Sequence, residues 1–302
     1  MKRVKQKLSA LNRNIKSYAR SYLLSLLGDK ASAVLVEGDR YRMLVDVADG
    51  SVSRQWLRNG CYNPEEISSL LKLLDPRDSL LLLGAHIGSL VIPLSESVRA
   101  VTAFEPNPQS HKLCRLNIAL SETKNITLHN YAAGDSNACL GFVAAKVNSG
   151  GSKRMPIDNI DNYLRESNEV ISVTSVVLDE LLINQEFSVV FADIEGGEYF
   201  AFRGAQRILR EAEILIFEFR PHHLRDVAGI STTDFLTSIP LEKFSHFIVP
   251  RLRGWKAFPI SKLQSVLDAM QQDDHYEDNV ILLSKLRVQA ISKVLPIFDY
   301  SP

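Results

Sequence analysis

Two runs, SLLLLGAHIGS at 79–89 and VTAFEPNP at 101–108, decide the fold of this 302-residue chain. The first is a fully apolar strand that passes through Gly84-Ala85-His86-Ile87-Gly88 into a helix expected to start near Ser89. The second is another apolar strand and ends in Glu105, 21 positions beyond Gly84. Near-continuous apolar strands joined by helices specify a parallel sheet buried on both faces. Ligands of such sheets bind outside the carboxyl ends of the strands. Glycines there allow close approach of a ligand to the backbone, and the helix start offers unpaired N–H groups. A carboxylate after the second strand can accept both hydroxyls of a ribose. The spacing of loop, strand and acid therefore points to a nucleoside cofactor.

Outward from these runs the same texture continues, with strands expected at 126–134, 188–193, 214–219, 246–250 and 279–284. Crossover helices fit Ser110–Leu120 and Tyr199–Arg210, and the last two strands are spaced to pair antiparallel at one edge. Upstream, Asn63-Pro64-Glu65-Glu66 opens a helix carrying Ile67, Leu70, Leu71 and Leu74 on one face, stopping at Asp75-Pro76. Two alternating runs, AVLVEG and YRMLVDV, flank Gly38-Asp39 and read as a hairpin. Before Asp29, seven basic residues meet no acid, and Leu8, Leu11, Ile15, Tyr18, Tyr22 and Leu26 form one apolar helical stripe. Such a helix docks on its own domain, makes a homodimer contact or lies peripherally on an anionic membrane. Residues 1–60 thus read as a helix and hairpin extension, and 61–302 as the main domain.

Charge and cysteine content narrow the function. Lys and Arg total 35, as do Asp and Glu, so no global positive field draws the chain to nucleic acid. Three scattered cysteines without C-x-x-C spacing fit a reducing compartment, and no apolar run approaches the length of a membrane span. The apolar positions of the N-terminus are interrupted by charge, so no signal peptide is read and a cytoplasmic location is expected.

Acids recur at the strand ends. Ala132-Ala133-Gly134-Asp135 follows the third strand of the sheet. Asp193-Ile194-Glu195-Gly196-Gly197-Glu198 follows the fourth, and Glu218 with Arg220-Pro221-His222-His223 follows the fifth. Helix capping explains some of these residues. An acid after each of four strands exceeds what capping requires and reads as a polar pocket for a cofactor and a hydroxylated substrate.

Taken in order, these pieces resemble the FkbM family of S-adenosylmethionine-dependent methyltransferases. The resemblance is carried by Gly60-Cys61-Tyr62-Asn63-Pro64-Glu65-Glu66, Gly84–Gly88, Phe104-Glu105-Pro106-Asn107-Pro108 and Leu116-Asn117-Ile118. It continues through Ala132–Asp135, Asn148-Ser149-Gly150-Gly151-Ser152, Leu178-Asp179 and Asp193–Glu198 with Gly204-Ala205. It implies a Rossmann-like class I methyltransferase fold, a mostly parallel seven-stranded sheet with helices on both faces. It further implies methyl transfer from S-adenosyl-L-methionine to a hydroxyl of a sugar or natural-product acceptor. The cofactor would meet Gly84, Ala85, His86, Gly88, Glu105, Asn107, Asp135 and Asp193, with Asp135 near the adenine. Two positions depart from the family's D-x-G-A-N-x-G: Leu82 stands where an acid helps hold the methionine part, and His86 replaces an amide.

An alcohol acceptor needs a base. Asp193 is the first candidate, Glu195 the second and His222 the third. Mg²⁺ held by Asp193 and its neighbours is the alternative way to lower the hydroxyl pKa, whereas the adjacent His222-His223 pair lacks zinc-ligand spacing. A degenerate methyltransferase fold serving as a binding or scaffold protein is the rival that Leu82 and His86 motivate. A nicotinamide oxidoreductase would want a third glycine in the loop.

Overall fold

The computed structural model describes residues 31–164, 169–272 and 278–291. The expected basic helix before Asp29 lies outside the described residues. Strands β1 (Ala33–Glu37) and β2 (Arg42–Asp46) form the antiparallel hairpin read around Gly38-Asp39. Helices Val52–Asn59 and Pro64–Leu71 lead into β3 (Ser79–Leu83), and helix Val91–Ser95 leads to β4 (Ala100–Phe104). Helix Pro108–Leu120 then precedes β5 (Ile126–His129), β6 (Ala132–Gly134), β7 (Ala138–Ala144), β8 (Lys153–Arg154) and β9 (Glu169–Val177). The remaining strands are β10 (Val189–Ala192), β11 (Ile214–Phe219), β12 (Phe244–Ile248), β13 (Ala257–Pro259) and β14 (Asp278–Ser284).

The main sheet has the order β13-β12-β14-β11-β10-β3-β4-β5. From β11 to β5 every pairing is parallel, and β14 runs antiparallel between β11 and β12. The Rossmann-like α/β class therefore holds, with eight strands rather than seven. The extra strand, β13, is only three residues long, too short to leave a pattern in the sequence. Both faces of the central strands are buried: Leu81, Leu83, Val190 and Phe217 pack on one side, while Leu80, Leu82, Phe191 and Ile216 pack on the other. Strict alternation between two apolar layers is why these strands read as unbroken hydrophobic runs.

The run expected as one strand at 126–134 is divided between two sheets. Asn130 donates from Nδ2 to the carbonyls of Glu105 (2.8 Å) and Pro106 (3.1 Å), turning the chain out of the main sheet after His129. β6 then joins a second sheet, ordered β6-β9-β7-β8. The hairpin packs on the main domain through Met43, Val45, Val52, Trp56, Ile87 and Ile92. Trp56 donates from its indole to Ser89 Oγ at 2.9 Å. Asn117, on helix Pro108–Leu120, accepts from Leu44 N and donates to the carbonyls of Leu44 and Ile87. Hairpin, helix and glycine loop are thereby fastened to one another.

Candidate active site

The carboxyl ends of β3, β4, β10 and β11 open on one cavity of about 820 Å³. Gly84–His86, the first turn of helix Pro64–Leu71, Asn148–Gly150, Pro250-Arg251, Trp255 and Asp278-Asn279 complete its walls. Seven carboxylic side chains line it against two guanidinium groups.

The glycine loop is shaped by its own bonds. Gly84 has φ +94°, and a Cβ there would lie 2.0 Å from the Asp193 carbonyl oxygen, so only glycine lets the ends of β3 and β10 approach this closely. The amides of Gly84 and Ala85 both donate to the Phe104 carbonyl, at 3.0 and 2.9 Å. His86 N donates to Glu105 Oε2 (2.7 Å), and Gly88 N donates to the Ala85 carbonyl (2.9 Å). These four N–H groups are therefore spent within the protein and are not free for a ligand. The following helix starts at Val91 and spans only five residues. Gly88, also at positive φ, turns toward Ile92 and Cys114 and does not line the cavity.

Glu105 lies at the cavity floor, 6% exposed. Its Oε2 takes the His86 amide and its Oε1 takes the Asn107 amide at 2.8 Å. Burial pushes its carboxyl up to about 7, against the pull of these two amides. A carboxylate has roughly four lone-pair sites, so each oxygen retains capacity for one more donor. His86 is in the left-handed region at φ +49° and sets its Nε2 2.7 Å from Ser149 Oγ of the second sheet's connecting loop. Desolvation holds the His86 ring down to about 4, so it is neutral at pH 7.

Beyond β10 the acids divide their work. Asp193 faces the cavity; burial and then the charge of Glu195 push it up to about 7, while Arg220 pulls the other way. Asp193 is also hydrogen-bonded to Glu218, itself driven upward by burial and by Asp193. Glu195 meets Lys153 Nζ at 3.3 Å and Arg220 Nη1 at 3.2 Å. Glu198 clips the turn, accepting the amides of Ile194 and Gly196 at 2.8 and 2.9 Å, and does not line the cavity. Lys153 Nζ also lies 2.9 Å from His223 Nε2. The other ring nitrogen, Nδ1, is 3.3 Å from Glu195 Oε2 but off the hydrogen-bonding direction. Burial, and next the charge of Lys153, keep His223 far below the usual histidine range, so it is neutral.

One family description, "Methyltransferase FkbM domain", matches residues 83–248, more than half the chain. The chain belongs to the FkbM methyltransferase family. It is an S-adenosylmethionine-dependent methyltransferase. No curated protein matches the FkbM methyltransferase described here. Among solved structures it is similar to a Streptococcus mutans protein described as a methyltransferase in complex with SAH, at 11% identity and TM-score 0.41, covering 74% of this chain and 98% of that one. It is also similar to an rRNA methylase from Streptococcus thermophilus, at 10% identity and TM-score 0.38, covering 73% and 94% of the two chains. A third, the Pyrococcus abyssi tRNA (uracil-54, C5)-methyltransferase in complex with S-adenosyl-L-homocysteine, shares 11% identity at TM-score 0.43. That match covers 84% of this chain and 44% of the other.

In this FkbM methyltransferase Gly84, Ala85, His86, Glu105, Asp193 and Glu195 all reach the one cavity. Besides Gly88, three other expected site residues do not. Asn107 caps helix Pro108–Leu120 by accepting Gln109 N at 3.0 Å and leans toward Ser152, off the wall. Asp135 pairs with Arg203 at 3.5 Å outside the cavity, whose neighbouring slot is instead formed by Pro106, Tyr131, Ala133 and Phe200. His222 is corrected too: it lies outside the cavity, and its neighbour His223 is the ring that meets Lys153. Successive helical residues point about 100° apart, so only one of the pair can face the acids. The Mg²⁺ expectation also meets an obstacle. Glu195, Glu218 and His223 bring ligand atoms within 4.8 Å of one another. However, Lys153 bonds Glu195 and His223, and Arg220 bonds Glu195 and Glu218, supplying the positive charge there. Sequence reading missed Lys153 and His223. β8 is a two-residue strand with no pattern of its own, and helical phase alone would have separated His223 from His222.

Proposed function

We propose that this FkbM methyltransferase methylates a hydroxyl oxygen of a neutral, polyhydroxylated acceptor of the sugar or natural-product class. The observation that carries the reading is Asp193, a cavity-facing carboxyl raised to about 7. A base works best when its pKa is near the working pH.

The residues present fit S-adenosylmethionine. The cavity lies within the roughly 300–1,000 Å³ of small-molecule sites, its lining is rich in carboxylates that favour a cation, and Glu105 keeps acceptor capacity for a diol. Bound there, the cofactor supplies a methyl group on a positively charged sulfur. Glu105 would hold the ribose, with the apolar side chains of Pro106, Ala133 and Phe200 beside it. Asp193 would take the acceptor's proton. Glu195, tied to Lys153 and Arg220, holds those cations in place and is the weaker base candidate. The chain's main task is then alignment of the oxygen with the bond to be broken. No step requires a metal. An excess of carboxylates on the wall repels phosphate, which favours a neutral acceptor over RNA.

The test is methyl-labelled S-adenosylmethionine offered with a panel of neutral glycosides and, separately, with total RNA. Label in a glycoside hydroxyl supports the reading, and label in RNA overturns it. Asp193→Asn should keep S-adenosylhomocysteine affinity within a few-fold and lower turnover at least about a hundredfold. Because Asp193 is raised to about 7, it is increasingly protonated below that pH. Hence kcat/KM for the methyl donor should climb about tenfold per pH unit up to about 7 and then level off. A profile flat from pH 5 to 8 would exclude Asp193 as the base.

A further inference from the structure

Leu82 stands where the resemblance leads one to expect an acid. Leu82 is fully buried and packs in the same layer as Leu70 and Val91, so its side chain never reaches the cavity. Helix Pro64–Leu71 lies over that layer through Leu70. Glu66 sits four residues earlier on the same helix, hence on the same face one turn nearer the cavity, which it lines. Its two oxygens are fixed by amides: Asn279 Nδ2 donates to Oε1 at 2.7 Å, and Asn63 Nδ2 donates to Oε2 at 3.0 Å. No described cation pairs with it.

Most other carboxylates of the wall have assigned work: Asp193 is the proposed base and Glu105 the ribose partner. Glu65, the neighbouring wall acid, is one residue away on the helix and so does not share the face of Leu70. Glu105 takes two amides, Glu195 has Lys153 and Arg220, and Glu218 has Arg220 and Asp193. Asp278 accepts the amides of Arg251 and Leu252. We infer that Glu66 is the counter-charge for the α-ammonium of the cofactor's methionyl tail, placed on a helix above the loop instead of on the strand below it. The inference rests on the S-adenosylmethionine reading above. Glu66 and the loop residues Gly84, Ala85 and His86 line the same cavity.

Calorimetric titration with two ligands tests it: S-adenosylhomocysteine, and 5′-methylthioadenosine, which has the same adenosine and thioether sulfur but no amino-acid tail. Glu66→Gln should weaken S-adenosylhomocysteine at least about tenfold, as expected for loss of a charge-assisted hydrogen bond. Methylthioadenosine binding should stay within twofold, which also shows that the variant is folded. Glu66→Asp, which keeps the charge, should recover part of the loss. Unchanged S-adenosylhomocysteine affinity in Glu66→Gln overturns the assignment, and so does equal weakening of both ligands. Wild-type protein that binds neither ligand overturns the cofactor reading itself.

Discussion

The carboxylate of Glu105 accepts two backbone amides and still presents lone pairs to the cavity. It therefore shapes the loop and offers a ligand contact with the same atoms. Glu105→Ala should abolish measurable S-adenosylhomocysteine binding in calorimetry. It should also lower stability by about 2–6 kcal/mol, because the amides of His86 and Asn107 lose their acceptor at about 1–3 kcal/mol each. Glu105→Gln retains one carbonyl oxygen and should fall between. A urea midpoint unchanged in Glu105→Ala would show that solvent replaces both bonds. Such coupling was not readable from the sequence. The distance of 21 positions marks Glu105 as a ribose partner, but nothing in it says that the same group folds the turn.

Among elements, the fully apolar strands were legible because each is covered on two sides. β7 and β9 were not, because each buries only two residues and the rest, Ser, Thr and Gly among them, are half-buried or exposed. Their pattern competes with that of a polar loop. Asn130 likewise hid the break between β5 and β6, since an asparagine inside an apolar run does not announce that it will bond two carbonyls of another strand's end. Asn117 is the corresponding case on a helix. It pairs with both backbone groups of Leu44 and with the Ile87 carbonyl, so it fastens the hairpin to the loop. Asn117→Ala should cost about 2–3 kcal/mol from three bonds, one of them fully buried, and raise the dissociation constant of S-adenosylhomocysteine. Loss of stability without loss of affinity would show that the loop holds its shape unaided.

At the scale of the whole molecule, the second sheet braces the acids of the active site through a buried cation. Lys153 leaves β8 to meet Glu195 in the turn after β10 and His223 in the short helix after β11. Removing one partner of a buried pair strands the other, at about 3–5 kcal/mol. Lys153→Ala should therefore lower the unfolding free energy by that amount, read as a lower urea midpoint at unchanged m-value. Lys153→Met, which keeps the packing but not the charge, should be nearly as costly, because Glu195 remains buried. A small effect in both would mean that Arg220 alone satisfies Glu195. The loop amides described above carry a different consequence. A turn whose donors are already satisfied has no water to shed from them and no backbone to reorganise when a guest arrives. Its entry should be a single fast step, governed by diffusion to an open mouth and not by a waiting time for the seat to form.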